Sequence, residues 1–240
     1  YWVTSQPWRR RPAVRIAIDG PSASGKSAAG SRVAATLGVP FVDTGSMYRA
    51  ITLLALRRGV APSDAEGLAN LAHSASMRIG PPPADGRETC SIILNGDDVT
   101  TSLRDAEVEQ TVSAVSAVPG VRAAMVRLQR EAAPDDVVMA GRDIGTVVLP
   151  DAELKIYFEA SIDVRAQRRQ ADLAARGRVE TLEQVKADLA RRDEIDTNRA
   201  TSPLRPADDA VVIHTDQLNL DQVVERIVAL AAERGGASVT

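Results

Sequence analysis

The chain has 240 residues, of which 44% are hydrophobic and 25% are charged, and this composition predicts one folded domain and excludes global disorder. A net charge of −3 excludes a generally basic nucleic-acid coat, and a single cysteine excludes an internal disulfide. No apolar run approaches the roughly 18 residues of a transmembrane helix. Residues 1–13 carry three arginines with no apolar stretch after them, so we interpret them as a tail without a secretory signal.

Strands and helices alternate along most of the chain. Short apolar runs predict strands at residues 14–19, 41–42, 91–94, 137–140, 154–158 and 210–213. Apolar side chains at helical spacing predict helices over residues 27–37, 46–58 and 223–230, and another over the arginine-rich residues 165–176. Two further helices begin at residue 119, where a proline suits the first turn, and at Thr181, which forms a capping box with Gln184. This alternation predicts an α/β fold with a parallel sheet that is covered on both faces.

Residues 62–111 differ from the rest of the chain. They contain three consecutive prolines, the strand at 91–94 and an Asn95-Gly96 pair, which is a strong signal for a hairpin turn. We therefore expect a small antiparallel piece inserted into the parallel fold.

The sharpest motif follows the first strand and precedes the first helix. Its sequence GPSASGKS comprises Gly20, Pro21, Ser22, Ala23, Ser24, Gly25, Lys26 and Ser27. It fits the phosphate-binding loop, in which glycines let backbone N–H groups curl around phosphate oxygens at the positive end of a helix. Lys26 would reach the β- and γ-phosphates of ATP, and the Ser27 hydroxyl would be a ligand of Mg²⁺. The loop predicts ATP binding but names no reaction.

Three further segments carry arginines near the predicted ends of strands and helices. They are DTGSMYR at residues 43–49, GRDIGTVV at 141–148 and RDEIDTNR at 192–199. In an open α/β sheet such ends line the ligand crevice, so these arginines could converge on a second phosphorylated substrate. The N-K-x-D motif that reads guanine in signalling GTPases is absent, and a small kinase is the interpretation that remains.

These motifs, together with SAVSAVPGVR at residues 113–122 and RRDEIDTNRATSPL at 191–204, resemble in order and spacing the bacterial cytidylate (CMP) kinases. The resemblance covers residues 14–212. It implies transfer of the ATP γ-phosphate to CMP or dCMP with Mg²⁺, by a cytoplasmic monomer with no nucleic-acid or membrane partner. It also implies a P-loop core at residues 14–62, 113–162 and 186–240, a nucleotide-binding insert at 63–112 and a helical lid at 163–185.

The resemblance also implies roles for individual residues. Those that would hold CMP are Thr44, Tyr48, Arg49, Ser113, Arg122, Arg142, Asp143, Arg192, Asp196 and Arg199. Among them Arg49, Arg142, Arg192 and Arg199 match arginines that hold the acceptor phosphate, Asp196 matches a residue at the sugar, and Ser113, Arg122 and Asp143 match readers of cytosine. The lid arginines Arg165, Arg168 and Arg169 would close over ATP. Lys26, Arg142 and Arg192 are the expected catalytic residues.

Cytosine recognition by Asp143 has a physical reason. Cytosine presents an amino donor at N4 where uracil presents a carbonyl acceptor, so a carboxylate accepts a hydrogen bond from the first and repels the second.

One departure from the family pattern is Ala28, where many members have threonine. Ser27 still supplies the metal-binding hydroxyl.

Two other functions stay open at this point. The first is a kinase for another acceptor, such as UMP, AMP or shikimate, against which Ser113, Arg122 and Asp143 argue. The second is a regulatory module that binds ATP and hydrolyses it slowly or not at all, against which the converging arginines argue.

Overall fold

A computed structural model describes residues 14–84, 86 and 88–235, and the predicted tail at residues 1–13 lies outside them. The strands are β1 (Arg15–Asp19), β2 (Phe41–Asp43), β3 (Met77–Gly80), β4 (Ser91–Leu94), β5 (Asp97–Asp98), β6 (Val137–Gly141), β7 (Leu154–Glu159) and β8 (Val211–His214). The α-helices are α1 (Lys26–Leu37), α2 (Thr44–Arg57), α3 (Ala65–Ser74), α4 (Ala106–Ala117), α5 (Pro119–Glu131), α6 (Ile162–Ala175), α7 (Leu182–Asn198) and α8 (Leu220–Gly235). A 3₁₀ turn lies at Thr100–Arg104 and a π-helical turn at Ile144–Val148.

Five strands form one parallel sheet in the order β2-β6-β1-β7-β8. Its central strands are buried on both faces, which explains why the sequence shows continuous apolar runs there and no alternation. Ile16 and Ile18 of β1 pack with α1 and α8, whereas Ala17 between them belongs to the larger cluster with α2 and α5. The α/β fold with a parallel sheet flanked by helices is confirmed.

A second, antiparallel sheet joins β3, β4 and β5. Asn95 and Gly96 link β4 to β5, and both have positive φ, +52° and +97°, as a tight hairpin turn requires. Ile92 and Leu94 bury the inner face of β4 against the larger core cluster. The strand over residues 91–94 and the turn are as expected, and the boundaries of the insert at residues 63–112 remain a prediction.

The segment between α2 and α5 is more helical than the sequence indicated. It contains α3 and α4 in addition to the small sheet. Asp64 caps the N-terminus of α3, since its carboxylate accepts from the Gly67 N–H at 2.8 Å, and the helix buries Leu68 and Ala72. The apolar face of α3 is short and lies between proline and turn signals, so hydrophobic periodicity in the sequence did not predict this helix.

Helices α6 and α7 form a hairpin around a small apolar cluster of their own. Leu173 of α6 packs with Val185 and Leu189 of α7. The capping box is present, because the Thr181 hydroxyl accepts from the Gln184 N–H while the Gln184 side chain accepts from the Thr181 N–H. In the described part of the chain, no helix has the length and apolarity needed to cross a bilayer.

Candidate active site

The loop at residues 20–27 joins β1 to α1 and uses glycine at two positions where the backbone requires it. Gly20 has φ +146°, and a Cβ there would come within 2.5 Å of the Phe158 carbonyl oxygen on β7. Gly25 has φ +95° and is the N-cap of α1. The loop therefore wraps the N-terminal end of α1, where free N–H groups and the helix dipole favour an anion.

The Lys26 ammonium lies within this loop. Its Nζ donates to the Pro21 carbonyl at 2.6 Å and to Ser24 Oγ at 3.3 Å. Burial, together with the cation of Arg142, lowers the pKa of Lys26 well below its ordinary value. An anionic phosphate at the loop would relieve both effects, since it supplies the opposite charge that the buried ammonium needs.

Two side-chain oxygens, from Ser27 and Asp43, lie beside the loop. The Ser27 hydroxyl donates to Asp43 Oδ2 at 2.9 Å, and Asp43 also caps α2 by accepting from the Ser46 N–H. Burial raises the pKa of Asp43, but Arg49 and Arg104 more than offset this and leave it below its usual value. Asp43 is therefore an ionised carboxylate next to the hydroxyl that we expected to bind a metal.

Asp19 connects the loop to the GRDIGTVV segment. Its carboxylate accepts from the N–H groups of Ile144 and Gly145 at 2.8 and 2.7 Å, at the start of the π-helical turn. Asp19 directly precedes Gly20, so one side chain sets the spacing between the phosphate loop and the arginine segment. Burial raises the pKa of Asp19 to about 6, against the opposing effect of these two N–H donors.

The raised pKa of Asp19 predicts how the free energy of unfolding varies with pH. Between the usual pKa of 3.8 and about 6, the folded state binds more protons than the unfolded chain, so stability falls as pH rises. Asp19→Asn has no proton to bind in this window. We expect the stability of the unsubstituted protein relative to Asp19→Asn to decrease from about pH 4 to about pH 6 and then to level off. Urea unfolding at a series of pH values measures it, and a difference independent of pH would contradict the shift.

Two buried carboxylates hold the predicted acceptor arginines Arg142 and Arg199 beside Arg122. Asp196 of α7 accepts from Arg142 Nε at 2.8 Å and from Arg199 Nη1 at 3.3 Å. Asp143 forms a buried ion pair with Arg122 and lies 3.9 Å from Arg199 Nη2. The strand end at β6, the start of α5 and the end of α7 thus meet in one charged cluster.

Tyr48, Ser113 and Thr44 are further candidates for the acceptor site, and each is buried. Arg122 lies over the Tyr48 ring at 5.5 Å from its centroid, and burial raises the pKa of Tyr48 to about 12. Ser113 is buried on α4. The Thr44 hydroxyl donates to the Ala140 carbonyl at 2.8 Å, so it braces α2 against β6.

A cavity of about 580 Å³ lies between the phosphate loop and the arginine segments. The predicted cations that line it are Lys26, Arg49, Arg142, Arg168, Arg169 and Arg192. Arg122, Asp143, Asp196 and Arg199 do not line this cavity and form the buried cluster described above. Arg142 lines the cavity and also donates to Asp196, so the cavity and the cluster are contiguous, and the phosphate-binding candidate Arg199 lies beside the base-reading candidate Asp143.

The predicted lid arginines already have protein partners. Arg165 pairs with Asp193 at 2.7 Å, and its Nη1 donates to the Ser22 carbonyl of the phosphate loop. Arg168 donates to the Thr215 carbonyl at 2.6 Å. The third, Arg169, is held by two carboxylates of the protein. All three tie α6 to its surroundings in this structure.

Sequence reasoning missed Asp19, Asp43, Arg104 and Glu109. Asp43 lay inside a motif already singled out, and its position as the residue before a helix could have marked it as a cap. Arg104 and Glu109 line the cavity from the 3₁₀ turn and from α4. No motif or spacing marks these two, because only the tertiary fold brings them beside the phosphate loop.

A phosphate loop at the end of the first strand of a parallel sheet, facing arginines from three other segments, defines a nucleotide-binding protein of the P-loop class. A family model described as "Cytidylate kinase" matches residues 16–233. The chain belongs to the cytidylate kinase family.

Individual relatives agree with the family match. The chain is 46% identical over 223 residues to a cytidylate kinase of Rhodococcus opacus (strain B4), with 92% of this chain and 96% of that protein covered. It is 48% identical over 233 residues to a bifunctional pantoate ligase/cytidylate kinase of Synechococcus sp. (strain JA-3-3Ab), covering 95% of this chain but spanning only 43% of that protein's length. A solved structure of an uncharacterized protein from Eubacterium ventriosum shares the fold, with a TM-score of 0.51, 11% identity and coverage of 92% and 99%.

Proposed function

We propose that this chain transfers the γ-phosphoryl group of ATP to CMP or dCMP, giving ADP and CDP or dCDP. The observation that carries the proposal is that one cavity is faced by Lys26 of the phosphate loop and by Arg49, Arg142 and Arg192 from three other segments. Membership of the cytidylate kinase family supports the choice of acceptor.

On the donor side, the N–H groups of residues 20–27 would hold the phosphates of ATP and Lys26 would balance their charge. Mg²⁺ fits the oxygen donors beside the loop, since it prefers hard oxygen ligands and is usually held by few protein groups together with phosphate oxygens. Ser27 would hold the ion, with Asp43 next to it. When bound, Mg²⁺ supplies neutralisation of charge on the phosphates.

On the acceptor side, Arg49, Arg142, Arg192 and Arg199 would hold the CMP phosphate and Asp196 the sugar. Arg49 Nε and Arg199 Nη2 are buried atoms without a hydrogen-bond partner among the described residues, so they retain donors for a phosphate. Burial and the nearby Arg104 lower the pKa of Arg49 to about 10. A bound phosphate would stabilise this crowded cation.

The buried pair of Arg122 and Asp143 offers a donor beside an acceptor, with Ser113 on the adjacent helix. Cytosine needs that combination, because its O2 and N3 accept hydrogen bonds while its N4 donates. Uracil would place a carbonyl oxygen against the Asp143 carboxylate, where two hydrogen-bond acceptors repel one another. We therefore infer selection of cytosine over uracil at this pair.

The chemistry requires no covalent intermediate. An oxygen of the CMP phosphate forms a bond to the γ-phosphorus as the bond from that phosphorus to the oxygen bridging the β-phosphate breaks. The protein contributes alignment of the two nucleotides, cations around the transferring group, and exclusion of water.

We further propose that the insert at residues 63–112 and the lid at 163–185 close over the two nucleotides. We also propose that the enzyme is a cytoplasmic monomer acting on small nucleotides without a nucleic-acid or membrane partner.

The test is release of ADP from ATP and Mg²⁺ with CMP, dCMP, UMP, AMP or no acceptor. We expect strong stimulation by CMP and dCMP alone. A similar rate with UMP would shift the acceptor to pyrimidine nucleotides in general, and a preference for AMP would contradict cytidine nucleotides as the acceptor. Tight ATP binding with no acceptor-dependent ADP would favour a regulatory nucleotide-binding module.

A further inference from the structure

Glu109 of α4 is a buried carboxylate on the wall of the cavity, and its side chain is only 5% exposed. Its Oε2 lies 2.6 Å from Arg169 Nη2 and 2.6 Å from Arg178 Nη1, while its Oε1 lies 3.8 Å from Arg104 Nη1. Arg169 and Arg178 belong to the predicted lid, whereas Arg104 precedes α4. One carboxylate therefore joins the predicted lid to α4, within the predicted insert.

The main chain of Glu109 holds another functional candidate. Arg192 Nη2 donates to the Glu109 carbonyl oxygen at 2.6 Å. Arg192 belongs to α7 and Arg169 to α6, and both line the cavity. The same residue of α4 thus orients an arginine from each helix of the hairpin.

The charges around Glu109 explain why this position needs a carboxylate. Burial, with the cations of Arg169 and Arg142, lowers the pKa of Arg192, and the carboxylates of Asp188 and then Glu109 oppose that effect. The pKa of Glu109 itself would be raised by burial, but Arg169 and Arg104 more than offset this, so the group is ionised. Without its negative charge, neighbouring guanidinium groups would repel one another and move apart.

We propose that Glu109 is a positioning residue for phosphoryl transfer, which holds Arg169 of the lid in place at the cavity wall beside Arg192. This inference rests on the proposed function, since it assigns Arg169 to the transferring phosphate. The opposite arrangement, in which Glu109 withholds Arg169 from the nucleotide, predicts effects of the opposite sign.

The central variant is Glu109→Gln, which keeps the shape of the side chain and removes its charge. We expect kcat with CMP to fall about 10- to 100-fold, because small displacements of a group near the reacting atoms have costs of that size. We expect KM for ATP to change less than about 3-fold in either direction, because the phosphate loop is untouched and the lost negative charge does not repel phosphate. The matched control is Glu107→Gln, an exposed glutamate on the same helix, for which we expect unchanged kcat.

Loss of folded protein would also lower kcat, so the decisive readout is a double-mutant cycle with Arg169→Ala. If Glu109 acts through Arg169, Glu109→Gln causes no further loss of kcat in the Arg169→Ala background. A loss of equal size in both backgrounds would assign Glu109 a merely structural role and overturn the proposal. Glu109→Asp, which keeps the charge, should recover part of the lost kcat, and it replaces Glu109→Gln in the cycle if that variant does not fold.

Two other results would overturn the inference. A higher kcat in Glu109→Gln would show that the carboxylate restrains Arg169, and an unchanged kcat would show that it positions nothing needed for turnover. The unsubstituted chain, assayed first with CMP, separates the two hypotheses. If it shows no CMP-dependent ADP release, the proposed function fails, whereas normal release with an insensitive Glu109→Gln overturns only the role of Glu109.

Discussion

Replacing Lys26 with alanine is expected to reduce kcat for CMP-dependent ADP release about 10²- to 10³-fold, the usual consequence of removing one preorganised charge from a transferring group. The fold should remain intact. Lys26 Nζ bonds only within the loop in the described structure, to Pro21 and Ser24, and supports no distant element. Because burial and Arg142 lower the pKa of Lys26, removing this buried cation relieves a repulsion and should not reduce the free energy of unfolding.

Steady-state kinetics and urea unfolding measure the two parts of this prediction. Lys186→Ala is the matched control, since Lys186 is a partly exposed lysine of α7 that pairs with the exposed Asp163. Surface pairs of this kind contribute about 0–1 kcal/mol, so both kcat and stability should stay near their original values. Turnover of Lys26→Ala within a few-fold of the unsubstituted enzyme would contradict the assignment of the phosphate loop.

Asp143→Asn is expected to lower kcat/KM for CMP about 10²- to 10³-fold while changing KM for ATP less than about 3-fold. The carboxylate pairs with the buried Arg122 and lies near Arg199, and an amide cannot balance either cation. Breaking a buried pair on one side commonly costs about 3–5 kcal/mol, because the other charge stays buried without a partner. The loss should fall on the acceptor, since the Asp143 side chain contacts the acceptor-site candidates Arg122 and Arg199 and not the phosphate loop.

Binding of ATP, measured by calorimetry, serves as the check that Asp143→Asn is folded. Asp135→Asn, at an exposed aspartate between α5 and β6, is the control and should leave both substrates unaffected. A shift of preference toward UMP would further support a role in base recognition. Equal losses for ATP and CMP would refute it.

Local signals made the core of the fold predictable. The apolar runs at β1, β6 and β7 are buried on both faces, so their sequences carry the signature of a parallel sheet without interruption. The helix from Pro119 buries Val121 and Met125 completely, as their spacing predicted. The insert was harder, because α3 is short and lies between turn-rich segments.

In the candidate site, too, some residues could be predicted from local sequence signals and others could not. The phosphate loop could be identified from the sequence alone, since the glycines, Lys26 and Ser27 are contiguous and their chemistry depends on local backbone geometry. The arginines of the acceptor side could be named only through a family resemblance, because isolated charges on a helix usually face solvent. Their carboxylate partners come from distant parts of the chain. Asp196 accepts from Arg142 across 54 residues, and Asp143 accepts from Arg122 across 21. Those pairings follow from the tertiary structure, because burial makes an unpaired charge costly and the fold selects which opposite charge is near enough to balance it.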